Sequence, residues 1–266
     1  MSRRATILLM IVALVAVTAA AGAWLWTRSR DPVTAAMQGD VDAAADVRAP
    51  AGVRIRVQVV NTTKTRGLAR RATLYDWIEG SDLRRAPFKK RLFSRSRGRT
   101  LLVGAGTGLD LQHFPDGANI TALDISDAML ARACPRAAAS PASVTLIAAD
   151  ALQLPFTTGV FDTIVTSCTM CSVREPLLAF AEMRRVLTPS GRLLMFEHVR
   201  SQQPVLGLAL DVMTWWTRRG GTAMNRDTLS AAQAAGFQVV RIESVFLDII
   251  LAVEASAAAL PSTTSR

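Results

Sequence analysis

Side chains that carry chemistry are scarce in this chain: 266 residues hold three cysteines, two histidines and one tyrosine. An odd cysteine count, from Cys134, Cys168 and Cys171, is not a disulfide framework. Cys168 and Cys171 form a C-x-x-C, but no second cysteine or histidine pair accompanies them, and the histidines are His113 and His198. A tetrahedral zinc site needs such a second pair, so no metal is expected and the two cysteines read as small apolar side chains after a buried strand. Acidic residues are also short, 21 against 31 Lys and Arg, for a net charge of +10. No G-K-[ST] triplet follows a glycine run, which excludes a P-loop. No internal repeat or low-complexity tract stands out, so repeat architectures are excluded as well.

Apolar residues, by contrast, make up 50% of the chain, enough for one large core. From Ala5 to Trp26 there are 22 residues without a charge, long enough at about 1.5 Å per residue to cross a ~30 Å hydrocarbon layer. Trp24 and Trp26 then stand where an interface would lie, followed by Arg28 and Arg30. Residues 1–30 therefore read as a single-pass membrane anchor, one N-terminal transmembrane helix. The alternative is a cleavable signal peptide, since Arg3 and Arg4 precede the run and small residues fill Ala19 to Ala23. Arginines on both flanks leave orientation undecided by charge.

Residues 31–66 are low in large apolar side chains and read as a linker, within which "VRIRVQVV" alternates as a short strand would. Basic charge is concentrated here: Arg48 to Arg99 holds 15 Lys or Arg against Asp76, Glu79 and Asp82. Residues 67–98 read as a basic helical extension. Leu74, Trp77, Ile78, Leu83, Phe88 and Leu92 give it an apolar side, as in a helix pair lying on an anionic membrane. The plainer reading is a solvated helix face.

From Arg99 the pattern changes to apolar strands separated by helices. The strand segments are "TLLVGA", "NITALDI", "SVTLIAA", "FDTIVTS", "RLLMFEHV", "FQVVRIESV" and "DIILAVEA". Such near-continuous apolar strands imply a parallel sheet covered on both faces. About two residues separate the last two strands, so these form a hairpin and the final strand runs antiparallel. The expected fold is α/β: a Rossmann-like, seven-stranded, mostly parallel sheet with helices on both faces. It spans 99–256 and leaves 257–266 as a tail.

The first of these strands ends in "VGAGTGLDL", with Gly104, Gly106 and Gly108 spaced two apart. Glycines there let a backbone approach a ligand at the carboxyl edge of the sheet. A dinucleotide fingerprint wants a small residue three positions after its second glycine, where this chain has Leu109. Asp124 ends the second strand, 20 residues beyond Gly104, and Asp150 ends the third. A carboxylate in the first position accepts hydrogen bonds from ribose hydroxyls.

Taken in order, "VGAGTG", "LDIS", "ADALQLPF", "FDTIV" and "MRRVLTPSGRLLMFEHV" resemble the successive motifs of class I S-adenosylmethionine-dependent methyltransferases, over roughly Tyr75 to Glu254. The resemblance implies S-adenosyl-L-methionine as cofactor. By position, Gly104, Ala105, Gly106, Thr107 and Gly108 would pass around its amino-acid part. Asp124 and Ile125 would hold ribose and adenine, Asp150 and Ala151 the adenine, and Ser167 and Cys168 the cofactor wall. Within the family, "TSCTMCSV" through "FEHV" is most similar to membrane-anchored thiol methyltransferases and bacterial phosphatidylethanolamine N-methyltransferases. Quinone-ring C-methyltransferases are more distant. The methyl donor is made in the cytosol, so the catalytic domain is expected on the cytoplasmic side.

Candidate acid–base groups are Tyr75, in a helix that in related enzymes folds over the site, and Glu197 and His198 at the end of the fifth strand. The fourth strand runs into "SCTMCS", not the D/N-P-P-Y of enzymes that methylate exocyclic base nitrogens, so nucleic acid is not an expected substrate. Between the fifth and sixth strands, Leu206, Leu208, Leu210, Val212, Met213, Trp215 and Trp216 precede Arg218 and Arg219. This insert reads as a lid admitting an apolar chain, or as a helix packed on the core. The acceptor is therefore expected to be a small molecule or lipid, with the membrane as partner through the N-terminal helix and basic segment.

Overall fold

The computed structural model describes residues 54–56, 85–218 and 221–257, all within one unit, Ala49–Arg266. The expected anchor, most of the linker, Tyr75 and the first part of the basic extension lie outside the described residues. Among the described residues no helix is long and apolar enough to cross a membrane.

The chain runs β1 (Arg54–Arg56), α1 (Ala86–Phe93), β2 (Arg99–Val103), β3 (Asn119–Asp124), α2 (Asp127–Ala138), β4 (Ser143–Ala148) and β5 (Phe161–Ser167). Then come α3 (Pro176–Val186), β6 (Leu187–His198), α4 (Pro204–Thr217), α5 (Thr228–Ala234), β7 (Gln238–Phe246) and β8 (Ile250–Ser256). One sheet of eight strands has the order β1-β4-β3-β2-β5-β6-β8-β7. β1 to β6 pair in parallel, while β8 lies between β6 and β7 and is antiparallel to both. Seven of these strands are the expected ones. The eighth is the short "RIR" of the linker, which adds to the β4 edge.

Alternation along the strands explains why both faces are covered. Leu102 and Phe196 enter one core, with Leu130, Ala133 and Ala137 of α2 and Leu206 and Leu210 of α4. Their neighbours Leu101, Val103 and Met195 point the other way, onto Phe180 and Met183 of α3 and Ala232 of α5. Local chemistry sets where the helices start. Ser126 caps α2 by accepting the Met129 N–H, Asp227 caps α5 by accepting the Ser230 N–H, and α1, α3 and α4 carry proline in the first turn, where no donor is lost.

The described end of the basic extension departs from the surface-helix expectation. α1 buries Leu92 and Phe93, and Phe93 stacks on Phe114 at 5.0 Å. Its cations face acids of the same fold: Lys89 meets Asp110 at 2.8 Å, Arg91 meets Glu243 at 2.6 Å, and Arg95 beyond the helix meets Glu254 at 2.6 Å. In this part of the extension the apolar side packs into the core, and the acids that pair with its cations stand far away in sequence.

Candidate functional site

β2, β3, β4, β5 and β6 all end on one edge of the sheet, and the expected site residues are gathered there. Gly104, Gly106 and Gly108 have φ of 72°, 54° and 80°, a left-handed region closed to most side chains. At Gly104 a β-carbon would sit 2.3 Å from Cγ2 of Thr169, so the chain passes there without room for a methyl group. The loop is fixed to β3 from two directions. The Ala105 N–H donates to the Leu123 carbonyl at 2.8 Å, and the Gly106 N–H donates to Oδ2 of Asp124 at 2.8 Å.

Asp124 also accepts the Ser126 N–H through Oδ1 at 2.9 Å, so one carboxylate holds the glycine loop and the start of α2 together. Burial pushes its pKa up, against the backbone donors that favour the charged form. Beside it Ile125 is exposed, an apolar side chain at the strand end able to flank a ring. On β4's exit, Asp150 accepts the Leu152 N–H through Oδ1 at 2.9 Å and stays half-buried with Ala151.

Thr107 turns its side chain away from the edge. Its side chain is fully buried, and its carbonyl accepts from Arg136 of α2 at 2.6 Å, so it anchors the loop from below. Ser167 is likewise buried, with an Oγ that finds no hydrogen-bond partner among the described residues. Cys168 is half-buried at φ 50°, a strained conformation for a non-glycine residue of the kind found at ligand-binding turns. The C-x-x-C closes on itself: the Cys171 thiol donates to the Cys168 carbonyl at 3.2 Å.

Glu197 and His198 are adjacent on β6 and point to opposite faces. Glu197 is buried and accepts the N–H groups of Thr169 and Met170 at 3.1 and 3.2 Å, one on each carboxylate oxygen. Desolvation raises its pKa to about 7 despite these donors. The geometry thus gives Glu197 a positioning task, holding the turn after β5, instead of an open edge from which to take a proton. His198 is held neutral: burial, with Arg85 and Lys89 nearby, lowers its pKa to about 4. An imidazole so depressed is a weak base at neutral pH. Its Nδ1 is buried without a hydrogen-bond partner among the described residues.

Two contributors escaped the sequence reading. The Thr169 hydroxyl bonds the carbonyls of Val103 and Ser167, both at 3.1 Å, and so ties the ends of β2 and β5 under the glycine loop. Its only sequence signal is a threonine inside the apolar "SCTMCS". Lys89, buried between Asp110 and the Phe196 ring 5.2 Å away, joins α1 to the loop helix that follows Gly108.

The arrangement fits a small ligand with a nucleoside and an amino-acid part. A glycine cradle, a carboxylate on β3, an exposed apolar residue next to it and a second carboxylate on β4 line one edge in succession. Comparison with known proteins agrees. Residues 101–195 match the family model described as a methyltransferase domain. A thiol S-methyltransferase of Homo sapiens is 27% identical over 169 residues, covering 58% of this chain and 69% of that protein. A demethylmenaquinone methyltransferase of Roseiflexus castenholzii is 37% identical over 115 residues, 42% of this chain and 47% of that protein. Among solved structures, the [4+2]-cyclase SpnF shares the fold at 22% identity with a TM-score of 0.55, over 73% of this chain and 78% of that one. SpnF is a cyclase by name, a reminder that this fold alone does not fix the reaction.

Proposed function

From the premise that this chain carries an S-adenosylmethionine-dependent methyltransferase domain, we propose that it methylates a hydrophobic or lipid-associated acceptor, a thiol or a phospholipid amine, at the membrane. Bound S-adenosylmethionine supplies a methyl group on a sulfonium sulfur, open to in-line displacement by a nucleophile. The protein's part is then to hold both reactants in line and keep the acceptor deprotonated. In this reading the Gly104–Gly108 backbone receives the amino-acid part, Asp124 the ribose hydroxyls, and Ile125, Asp150 and Ala151 the adenine. Ser167 and Cys168 form the wall, and Glu197 keeps that wall in register through Thr169 and Met170.

The observation that carries the acceptor class is the segment bonded to the turn next to this wall. The Ala223 N–H donates to the Cys171 carbonyl at 2.9 Å, and the Met224 N–H to Oγ1 of Thr214 in α4 at 3.1 Å. The insert is therefore bonded directly to the turn beside the glycine loop, and its Met213 and Met224 pack against the core. An apolar insert beside the site suits a greasy acceptor better than a charged one. The uncharged run Ala5–Trp26 supports a single-pass anchor, and the cytosolic origin of the methyl donor supports a domain on the cytoplasmic side.

A quinone ring is the second reading, favoured by the 37% identity to the demethylmenaquinone enzyme. Incubating the full chain with isotopically labelled S-adenosylmethionine and a membrane extract, then identifying the labelled product by mass, separates these readings. Label in a thioether or a methylated phospholipid supports the proposal. Label in a quinone ring gives the second reading, and label only in water-soluble acceptors contradicts both.

A further inference from the structure

One face of α4 is exposed. Leu206, Gly207, Leu210 and Thr214 turn inward and are buried. Val205, Leu208, Val212, Trp215 and Trp216 turn outward and are 58 to 63% exposed, although all are large and apolar. At about 100° per residue these five positions fall within one arc of roughly 100°. The arc carries no charge. Asp211, the single charged residue of α4, is held to the side by Arg200 at 3.0 and 2.8 Å and by Asn225 at 2.9 Å.

A second exposed apolar group stands next to its N-terminal end. Asp248 accepts from the Ser201 hydroxyl at 2.7 Å and the Gln202 N–H at 2.7 Å, which docks the β7–β8 turn against the start of α4. That turn exposes Phe246 and Leu247, the latter at φ 49°, a conformation rare for leucine. Both elements lie at the strand-end edge that holds the glycine loop, because β6 ends at His198 where β8 begins, opposite Ile250.

We infer that the outer face of α4, with Phe246 and Leu247, docks on the surface of a lipid bilayer and lies in its interface. Soluble monomers rarely leave so many large apolar side chains together in water. Three features favour lipid over a protein partner. Two adjacent tryptophans, 4.8 Å apart, sit at the C-terminal end of the stripe, and Trp is the side chain most at home at a headgroup boundary. Exposed Arg218 caps that end, where an anionic headgroup would meet it. The same chain contains the uncharged 22-residue run from Ala5, which would keep a bilayer within reach. The inference goes beyond the proposed acceptor and does not depend on it.

The test uses the full chain with Trp24, Trp26 and Trp77 changed to Phe, so that Trp215 and Trp216 alone report. It is reconstituted in phosphatidylcholine–phosphatidylglycerol vesicles with and without brominated acyl chains. Docking predicts blue-shifted emission that brominated lipid strongly quenches, and loss of that quenching in a Leu208→Glu, Val212→Glu variant. Titration with S-adenosylmethionine confirms that this variant remains folded. Unquenched, water-like emission from the reconstituted protein overturns the inference. So does shielding that appears without lipid and rises with protein concentration, which would mark a second copy as the occupant. Methylation of only water-soluble acceptors by a quenched protein would defeat the acceptor reading alone, while unquenched tryptophans with intact lipid methylation would defeat docking alone.

Discussion

Replacing Glu197 by Gln should change the stability of this protein in a way that depends on pH. The carboxyl is buried, and its pKa is raised from 4.5 to about 7 by desolvation. A raised carboxyl pKa means that the folded state holds the proton more tightly than the unfolded state. The favourable contribution is therefore complete below about pH 4.5 and is lost as pH rises through about 7, for a total of ~3 kcal/mol. His198 works against it: burial lowers its pKa to about 4, so stability falls as pH drops from about 6.5 towards 4. The two slopes oppose each other in the wild type, and the informative quantity is the difference between wild type and Glu197→Gln. Gln leaves one of the Thr169 and Met170 N–H groups facing an NH2 group, at a cost of about 1–3 kcal/mol at any pH. Urea unfolding followed by circular dichroism should find the variant less stable by roughly that amount near pH 5 and equal to or above wild type near pH 8.5. A difference that does not move with pH would refute the buried, doubly bonded carboxylate described for Glu197.

Other substitutions probe the loop and its supports. Gly104→Ala must place a β-carbon 2.3 Å from Thr169 at φ 72°, and should weaken S-adenosylmethionine binding at least about tenfold by calorimetry, ~1.4 kcal/mol. Asp124→Ala strips the acceptor from the Gly106 and Ser126 N–H groups; a loss of about 1–3 kcal/mol in urea unfolding is expected, together with weaker cofactor binding. Lys89→Met leaves the half-buried Asp110 carboxylate without its cation and should cost about 1–3 kcal/mol, most of it recovered when Asp110→Leu is added, as read in the same unfolding assay.

Local pattern made the sheet readable. "FDTIVTS" coincides with β5, the short span between "FQVVRIESV" and "DIILAVEA" fixes the β7–β8 hairpin, and Ser126 and Asp227 mark helix starts by the hydrogen bonds they accept. Strand-end residues such as Gly104, Gly106 and Asp124 were equally legible, since tolerance of a positive φ and a carboxylate's acceptor capacity belong to the residue itself. Pairings between distant segments were not. Nothing near Lys89 announces Asp110 or the Phe196 ring, nothing near Arg95 announces Glu254, and Thr169 gains its role only when β2 and β5 lie side by side. Thr107 shows the opposite limit: a loop motif does not say which of its side chains turns inward.

The central claim is that the Gly104–Gly108 loop and Asp124 hold S-adenosylmethionine, and calorimetric titration of the full chain tests it most directly. The wild type should bind one equivalent. Gly106→Val should not, because its backbone occupies φ 54° and its N–H is committed to Asp124. A wild type without affinity for the methyl donor, or a Gly106→Val variant that binds as tightly as wild type, would contradict the account.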